Sequence, residues 1–188
     1  MASAPAKRTV VRNMADGVIT IEDGSSPANS VQLVVDEGDL SFDVMQRESV
    51  VIMDRTDFSA LRQSKARPCS GKFRVKLKEF LSSTGNPVTP HEALFGVGAA
   101  SGWLSTNSDG GNVRTVRIRF TCVSPVAGER AEDIVFEKSY DLNESFSERA
   151  DADVLAVAFK DFEERPTITK RAAANPTDEP TVEPTTAA

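Results

Sequence analysis

Polar and apolar residues alternate along much of this chain, the period of a strand with one buried face. Residues 72–80 show it most cleanly: Phe73, Val75 and Leu77 point one way, and Lys72, Arg74, Lys76 and Lys78 the other. Residues 113–123 repeat the pattern, with Val116, Ile118, Phe120 and Cys122 inward and Arg117, Arg119 and Thr121 outward. Further strands are predicted over 17–21, 30–35, 40–44, 49–53, 134–142 and 154–162. Turns separate the first three. Glu22-Asp23-Gly24-Ser25-Ser26-Pro27 supplies a glycine and a proline, and Asp36-Glu37-Gly38-Asp39 a second glycine.

Two stretches break the rhythm. Residues 54–70, DRTDFSALRQSKARPCS, are polar, lack a period and contain Pro68, which predicts a long loop. At Thr89-Pro90-His91-Glu92 the spacing is that of a capping box with proline in the first helical position. A short helix over about 90–97 follows, weakened by Gly96 and Gly98. The fold class predicted is mainly β: a β-sandwich or curved open barrel with one short α-helix and a long inter-strand loop. Residues 1–16 read as an N-terminal arm and 17–165 as the β domain. From Pro166 the composition turns to Thr, Pro and Ala with almost no bulky residue, so 166–188 reads as a tail that cannot order itself by burial.

Composition narrows the functional classes. The 188 residues are 39% hydrophobic and 27% charged, enough for one ordinary core. No apolar run is long enough for a membrane-spanning helix, and no secretory h-region is predicted. Two cysteines, Cys69 and Cys122, make no disulfide framework, and with one histidine no Cys/His zinc site is expected. Charge is strongly blocked: residues 17–60 carry nine acids against two bases, and residues 61–80 seven bases against one acid. The total of −6 argues against a simple nucleic-acid binder. Opposite blocks suit contacts between copies. The ladder Lys72, Arg74, Lys76, Lys78 lacks outward aromatics to stack bases, so an acidic protein partner is the better reading.

Sites for chemistry are weak. Gly96–Gly102 (GVGAASG) follows a helix instead of a strand and has Ser101 where a dinucleotide fingerprint needs its third glycine. His91 reads as a helix-cap or surface residue without nucleophile or orienter. Glu148, Asp151 and Asp153 lack the pattern of a calcium loop. Cys69 reads as a spectator, and Trp103 as a plug in the core. No catalytic residue, metal or cofactor is expected, and the chain is not expected to be an enzyme.

Three segments together carry a resemblance: DGVITIEDGSSPANSVQLVVDEGDLSF, TPHEALFGVGAASGW and LNESFSERADADVLAVAFKDFEERPTI. With these, about residues 14–168 resemble the major tail tube proteins of long-tailed bacteriophages. The resemblance implies a structural virion protein whose copies form hexameric rings, sheet edge to sheet edge. Those rings stack into a hollow tube through which DNA passes unbound. The implied partners are further copies of the chain and the tape-measure, tail-terminator and distal tail proteins, with no membrane; assembly would occur in the bacterial cytoplasm. The long loop, about 44–70, would reach the next ring through Arg55, Phe58, Leu61, Arg62, Lys65 and Arg67. The terminal arm or tail would add further contacts between subunits. Glu22, Asp23, Asp36, Glu37, Asp39 and Asp43 are the candidate lumen acids. The ladder at 72–78 would face an acidic partner surface or the outside.

Other classes predict other behaviour. A tail terminator or neck protein of related fold would form a single ring, and a decoration protein would bind capsid shells. A soluble binding module would need an exposed aromatic platform, for which Trp103 is the one strong candidate. An enzyme would lose a chemical activity on substitution of Asp151, His91 or Cys69.

Overall fold

The structure, a computed structural model, describes residues 17–34, 40–44, 47–54, 57–107, 113–122, 130–147 and 154–173. The strands are β1 (Gly17–Glu22), β2 (Ser30–Val34), β3 (Ser41–Asp43), β4 (Ser49–Asp54), β5 (Asp57–Gln63), β6 (Ser70–Lys76), β7 (Phe80–Leu81), β8 (Pro87–Val88), β9 (Val116–Cys122), β10 (Arg130–Ser147), β11 (Val154–Asp161) and β12 (Thr167–Ala173). One helix, α1 (Pro90–Phe95), precedes a 3₁₀ turn at Gly98–Ala100. The fold is mainly β, as the alternation predicts, and its sheets are open and antiparallel, not closed into a barrel.

The main sheet runs β2-β1-β9-β10-β11-β6-β3, with β12 also on β10. Its concave side holds the core. On β6, Gly71, Phe73 and Val75 face in, and Lys72, Arg74 and Lys76 face out. Phe42, Phe136, Phe159 and Phe73 form a chain of rings at centroid separations of 5.7, 5.0 and 6.2 Å. Phe42 sits on β3 and Phe136 on β10, three strands apart in the sheet order. In a flat sheet those strands lie about 14 Å from each other, so the contact requires the sheet to curl.

Helix α1 closes the concave side with Pro90, Ala93 and Leu94 buried. Its capping box forms: Thr89 Oγ1 accepts the Glu92 N–H at 3.2 Å, and Glu92 Oε2 accepts the Thr89 N–H at 2.9 Å. The helix stops two residues before the predicted 97. Gly96 takes the left-handed conformation, φ 63°, and donates to Glu92 O at 2.8 Å. Arg114 seals that end, donating from Nε to Leu94 O at 3.1 Å and from Nη1 to Trp103 O at 2.9 Å.

Strand β10 organises the rest. It spans 18 residues, twice the predicted length. Its first half pairs β9 on one edge and β12 on the other. From Ser139 onward, β11 takes over the β12 edge. Thus β11 and β12 lie in line along one edge, separated by a short excursion at 162–166. A bulge between Tyr140 and Asn143 bends β10 there, and Asp141 adopts a positive φ of 52°.

The segment expected as an irregular loop differs most. Residues 57–63 are strand β5, paired antiparallel to β4. Among the described residues the hairpin pairs with no strand of the main sheet. The stretch after Pro166, expected to lack order, begins with β12. Backbone pairing to β10 holds it, and residues 167–170 are all exposed. The arm at 1–16 and residues 174–188 lie outside the described residues.

Candidate functional site

The β4–β5 hairpin projects from the sheet with apolar residues on both faces. Val51 lies opposite Leu61, with Met53 further along the same face, and they are 52%, 59% and 56% exposed. Val50 and Ile52 occupy the other face and are also exposed, opposite Arg62 and Ala60. A two-stranded ribbon is marginal in water on its own. This one is tied down at its base. Ser64 N–H donates to Glu48 O at 2.8 Å, Arg67 Nη2 donates to Glu48 Oε1 at 2.9 Å, and Arg47 bonds Glu164 on the excursion after β11. Cys69 then joins the hairpin to the core: its N–H donates to Glu163 O at 3.1 Å and its carbonyl accepts the Asp161 N–H at 2.9 Å. Burial, with Asp161 nearby, pushes the Cys69 thiol up to about 11, so it stays protonated and a poor nucleophile.

Of the loop residues singled out from the sequence, Leu61, Arg62, Lys65 and Arg67 are exposed on or beside this hairpin. Phe58 sits on β5 opposite Met53; its side chain and Arg55 lie outside the described residues.

The candidate acids separate into three groups. Glu22 is buried, and its carboxylate takes Arg119 Nη2 at 2.9 Å and Arg117 Nη1 at 3.2 Å. Arg117 also reaches Glu137 at 2.6 Å, an ion ladder across β1, β9 and β10. Burial opposes the Arg117 charge, but Glu137 and Glu22 outweigh it and raise its pKa. Asp23 is buried at the turn after β1. Its oxygens accept from Ser25 N–H and Oγ–H, Asn29 N–H and Nδ2, and Leu104 N–H, at 2.6–3.1 Å. Burial works to raise its pKa, and these bonds bring it below the ordinary carboxylate range. Both acids are therefore engaged within the subunit and do not form an open acidic surface. Asp43 is exposed at the end of β3. Asp36, Glu37 and Asp39 lie outside the described residues.

The basic ladder divides as well. Lys72, Arg74 and Lys76 stand on the outward face of β6, whereas Lys78 lies past its end, 5.0 Å from the Phe80 ring centre. Beside the ladder runs a groove of about 370 Å³, floored by Ala156 and Ala158 and walled on the far side by Asn143 and Ser145.

Strand edges are the other feature the sequence did not disclose. From Tyr140 to Ser147, β10 pairs β11 on one side and meets no strand of the described residues on the other. The outer edges of β12 and β3 are also without a strand partner among the described residues. Phe146 and Ile168 are exposed along these edges. Open edges with apolar side chains are places where another chain adds.

Chemistry is sparse. Trp103 is 6% exposed and sits in the core, which removes it as the aromatic platform a binding module was expected to need. His91 Nδ1 lies 2.7 Å from Glu144 Oε2, and its ring is 5.1 Å from that of Phe95. No group of three or more His, Cys, Asp or Glu among the described residues is placed to hold a metal. Glu148, Asp151 and Asp153 lie outside them. No helix of the described residues is long and apolar enough to cross a membrane.

The fold and these surfaces define a class: an open antiparallel β protein with a two-sided apolar hairpin and strand edges that are unpaired among the described residues. No protein-family model matches the chain, and no curated protein matches it.

Proposed function

We propose that this chain is a structural subunit that assembles with its own copies, as the tail tube subunit of a long-tailed bacteriophage, in stacked hexameric rings that conduct DNA. The observation that carries the reading is the β4–β5 hairpin, whose Val51, Met53 and Leu61 are more than half exposed on one ribbon face, whereas Val31, Val75, Leu33 and Leu94 are buried in the core. Exposed apolar surface on a ribbon with no core of its own is stabilised when a second chain covers it. The open edge of β10 from Tyr140 to Ser147 supports the reading too, because strand addition would extend the sheet from one subunit to the next. Sequence resemblance supplies the particular assembly; the exposed hairpin and edges supply surfaces suited to one.

Negative-stain electron microscopy of the concentrated protein tests it. Stacked hollow tubes are expected. Isolated rings would favour a single-ring terminator or neck component instead, and a chain monomeric at all concentrations would overturn self-assembly. Deleting residues 57–63 with their connecting turn should leave a folded monomer that does not stack; long tubes from that variant would remove the hairpin from the inter-ring contact.

A further inference from the structure

Two strand edges that lack a partner among the described residues face opposite ways across the sheet. Strand β10 carries β9 on one side as far as Ser139, and beyond that point the same side is open. Strand β12 pairs the other side of β10 and turns its outer edge away from it. A chain therefore cannot lay its own β12 on its own open edge, but a second copy can. The remaining edges fit less well. Strand β3 offers only three residues, and β2 is already bridged at Val31 to Ser82.

The side chains along the two edges correspond. On β10, Glu144 and Phe146 are level with the core residues Val157 and Leu155, so they share the core face of the sheet, and Ser145 and Ser147 take the other face. On β12, Ile168 is level with the core residue Ile134, so Ile168 and Lys170 share that same face, and Thr167 and Thr169 take the other. Phe146 and Ile168 are more than half exposed, and Lys170 is exposed. The Glu144 side chain is 6% exposed, with Oε2 2.7 Å from His91 Nδ1 and Oε1 buried without a hydrogen-bond partner.

Antiparallel alignment of these stretches sets Lys170 opposite Glu144, Thr169 opposite Ser145, Ile168 opposite Phe146 and Thr167 opposite Ser147. Opposite charges, hydroxyl pairs and an aromatic against a β-branched residue are all pairings that stabilise a sheet. A slip of one residue would turn the core face of one strand onto the outer face of the other. A slip of two would set Ile168 opposite Glu144, or Lys170 opposite Phe146. Both stretches are regular, because the bulge of β10 precedes Asn143 and the register shift of β12 follows Lys170.

We propose that Thr167–Lys170 of one copy adds antiparallel to the open edge of β10 in the next, with Lys170 opposite Glu144 and Ile168 opposite Phe146. The inference rests on the self-association proposed above and names the segments and register of one contact. Lys170 then stands between Glu132 of its own chain and Glu144 of the next, beside a carboxylate that has one oxygen without a partner. Because the two edges differ, the contact repeats from copy to copy instead of closing a pair.

Disulfide cross-linking of the full-length chain tests the register. Phe146→Cys and Ile168→Cys replace exposed side chains, and the native Cys69 and Cys122 are buried. Directly opposite residues hold their Cα atoms about 4.5–5.5 Å apart, within disulfide reach. The two single variants, mixed and oxidised at a concentration where the wild type self-associates, should link to each other. Ser147→Cys mixed with Ile168→Cys should link about 10-fold less, because those side chains lie on opposite faces. A chain carrying both Phe146→Cys and Ile168→Cys should give a ladder of linked oligomers. Lys170→Glu should weaken self-association about 10-fold in sedimentation. Circular dichroism checks that each variant keeps the fold. No link in an associating mixture, equal linking from the Ser147 pair, or linking of the Phe146→Cys variant to itself would overturn the proposal. Tubes or rings without the link sink this contact and leave the assembly reading standing. A wild-type chain that sediments as a monomer at every concentration sinks the assembly reading and this contact with it.

Discussion

The main sheet and the β4–β5 hairpin are both antiparallel and both rich in Val, Ile, Leu and Phe, yet their energetics are opposite. In the sheet, Phe73, Phe120, Phe136 and Ile118 are fully buried on a concave face that α1 covers. In the hairpin, five apolar side chains on two faces are exposed, and the bonds that fix the ribbon among the described residues lie at its base. The same residue types stabilise the monomer in one place and are available for a partner in the other. What decides is whether a second layer lies over them.

That contrast is open to direct tests. The largest effect is expected in the core. Phe136→Ala removes a ring packed against both Phe42 and Phe159 and should destabilise the monomer by about 3–5 kcal/mol in urea unfolding. A loss under 1 kcal/mol would mean that the ring chain does not hold the curl of the sheet. Next is the turn that closes β1. Asp23→Ala removes the acceptor of five hydrogen bonds, leaving the Ser25 and Leu104 N–H groups without it, and should cost about 2–4 kcal/mol. Gly24→Ala at the same turn should also be costly, since a Cβ there would stand 2.1 Å from Ser105 O.

Two buried aspartates sharpen the comparison through pH. Asp23 is held below its ordinary pKa, so its contribution is present above that value and lost as pH falls through its folded value. Asp161 runs the other way. Burial raises its pKa although Oδ1 accepts the Glu163 and Lys138 N–H groups, and its Oδ2 is buried without a hydrogen-bond partner. Its contribution is present at low pH and lost as pH rises through the folded value. Asp161→Asn keeps an oxygen for the two N–H groups and removes that loss. Melting temperature should therefore match or exceed wild type in alkaline buffer, while Asp23→Asn melts lower than wild type there. A lower melting point for Asp161→Asn at high pH would contradict the assignment.

The smallest effect on monomer stability is expected in the hairpin. Leu61→Ser with Val51→Ser should change unfolding free energy by less than about 0.5 kcal/mol, because both side chains are more than half exposed. Sedimentation should nonetheless show reduced self-association. Amide exchange gives the same contrast without mutation: residues 49–63 should exchange at least 100-fold faster than β9 in the dilute protein. Equal protection would place the hairpin within the cooperative core.

Strands β1, β6, β9 and β11 were legible because each has one face on the core, which imposes a period of two on its residues. Strands β5 and β12 were not. Leu61, Arg62 and Gln63 are all exposed, and Ile168 faces solvent between threonines, so no face is selected and no period appears. Backbone pairing holds both, and pairing leaves almost no mark on side-chain identity. The same reason explains β10, which was read only over 134–142 and continues to Ser147, well beyond its most buried stretch. Asp23 and Glu22 looked like surface acids because their partners are distant: Leu104 is 81 residues away, and Arg117 and Arg119 are 95 and 97.

By itself the sequence determined the strand-rich class, the inward and outward faces of the core strands, and the cap and start of α1. Those depend on neighbours a few positions apart and on the partition of apolar surface from water. Tertiary structure decided which charges are neutralised inside, which edges stay open, and that the polar stretch after β4 pairs into a projecting hairpin. Those depend on what lies across space from each residue, and sequence spacing carries no record of that.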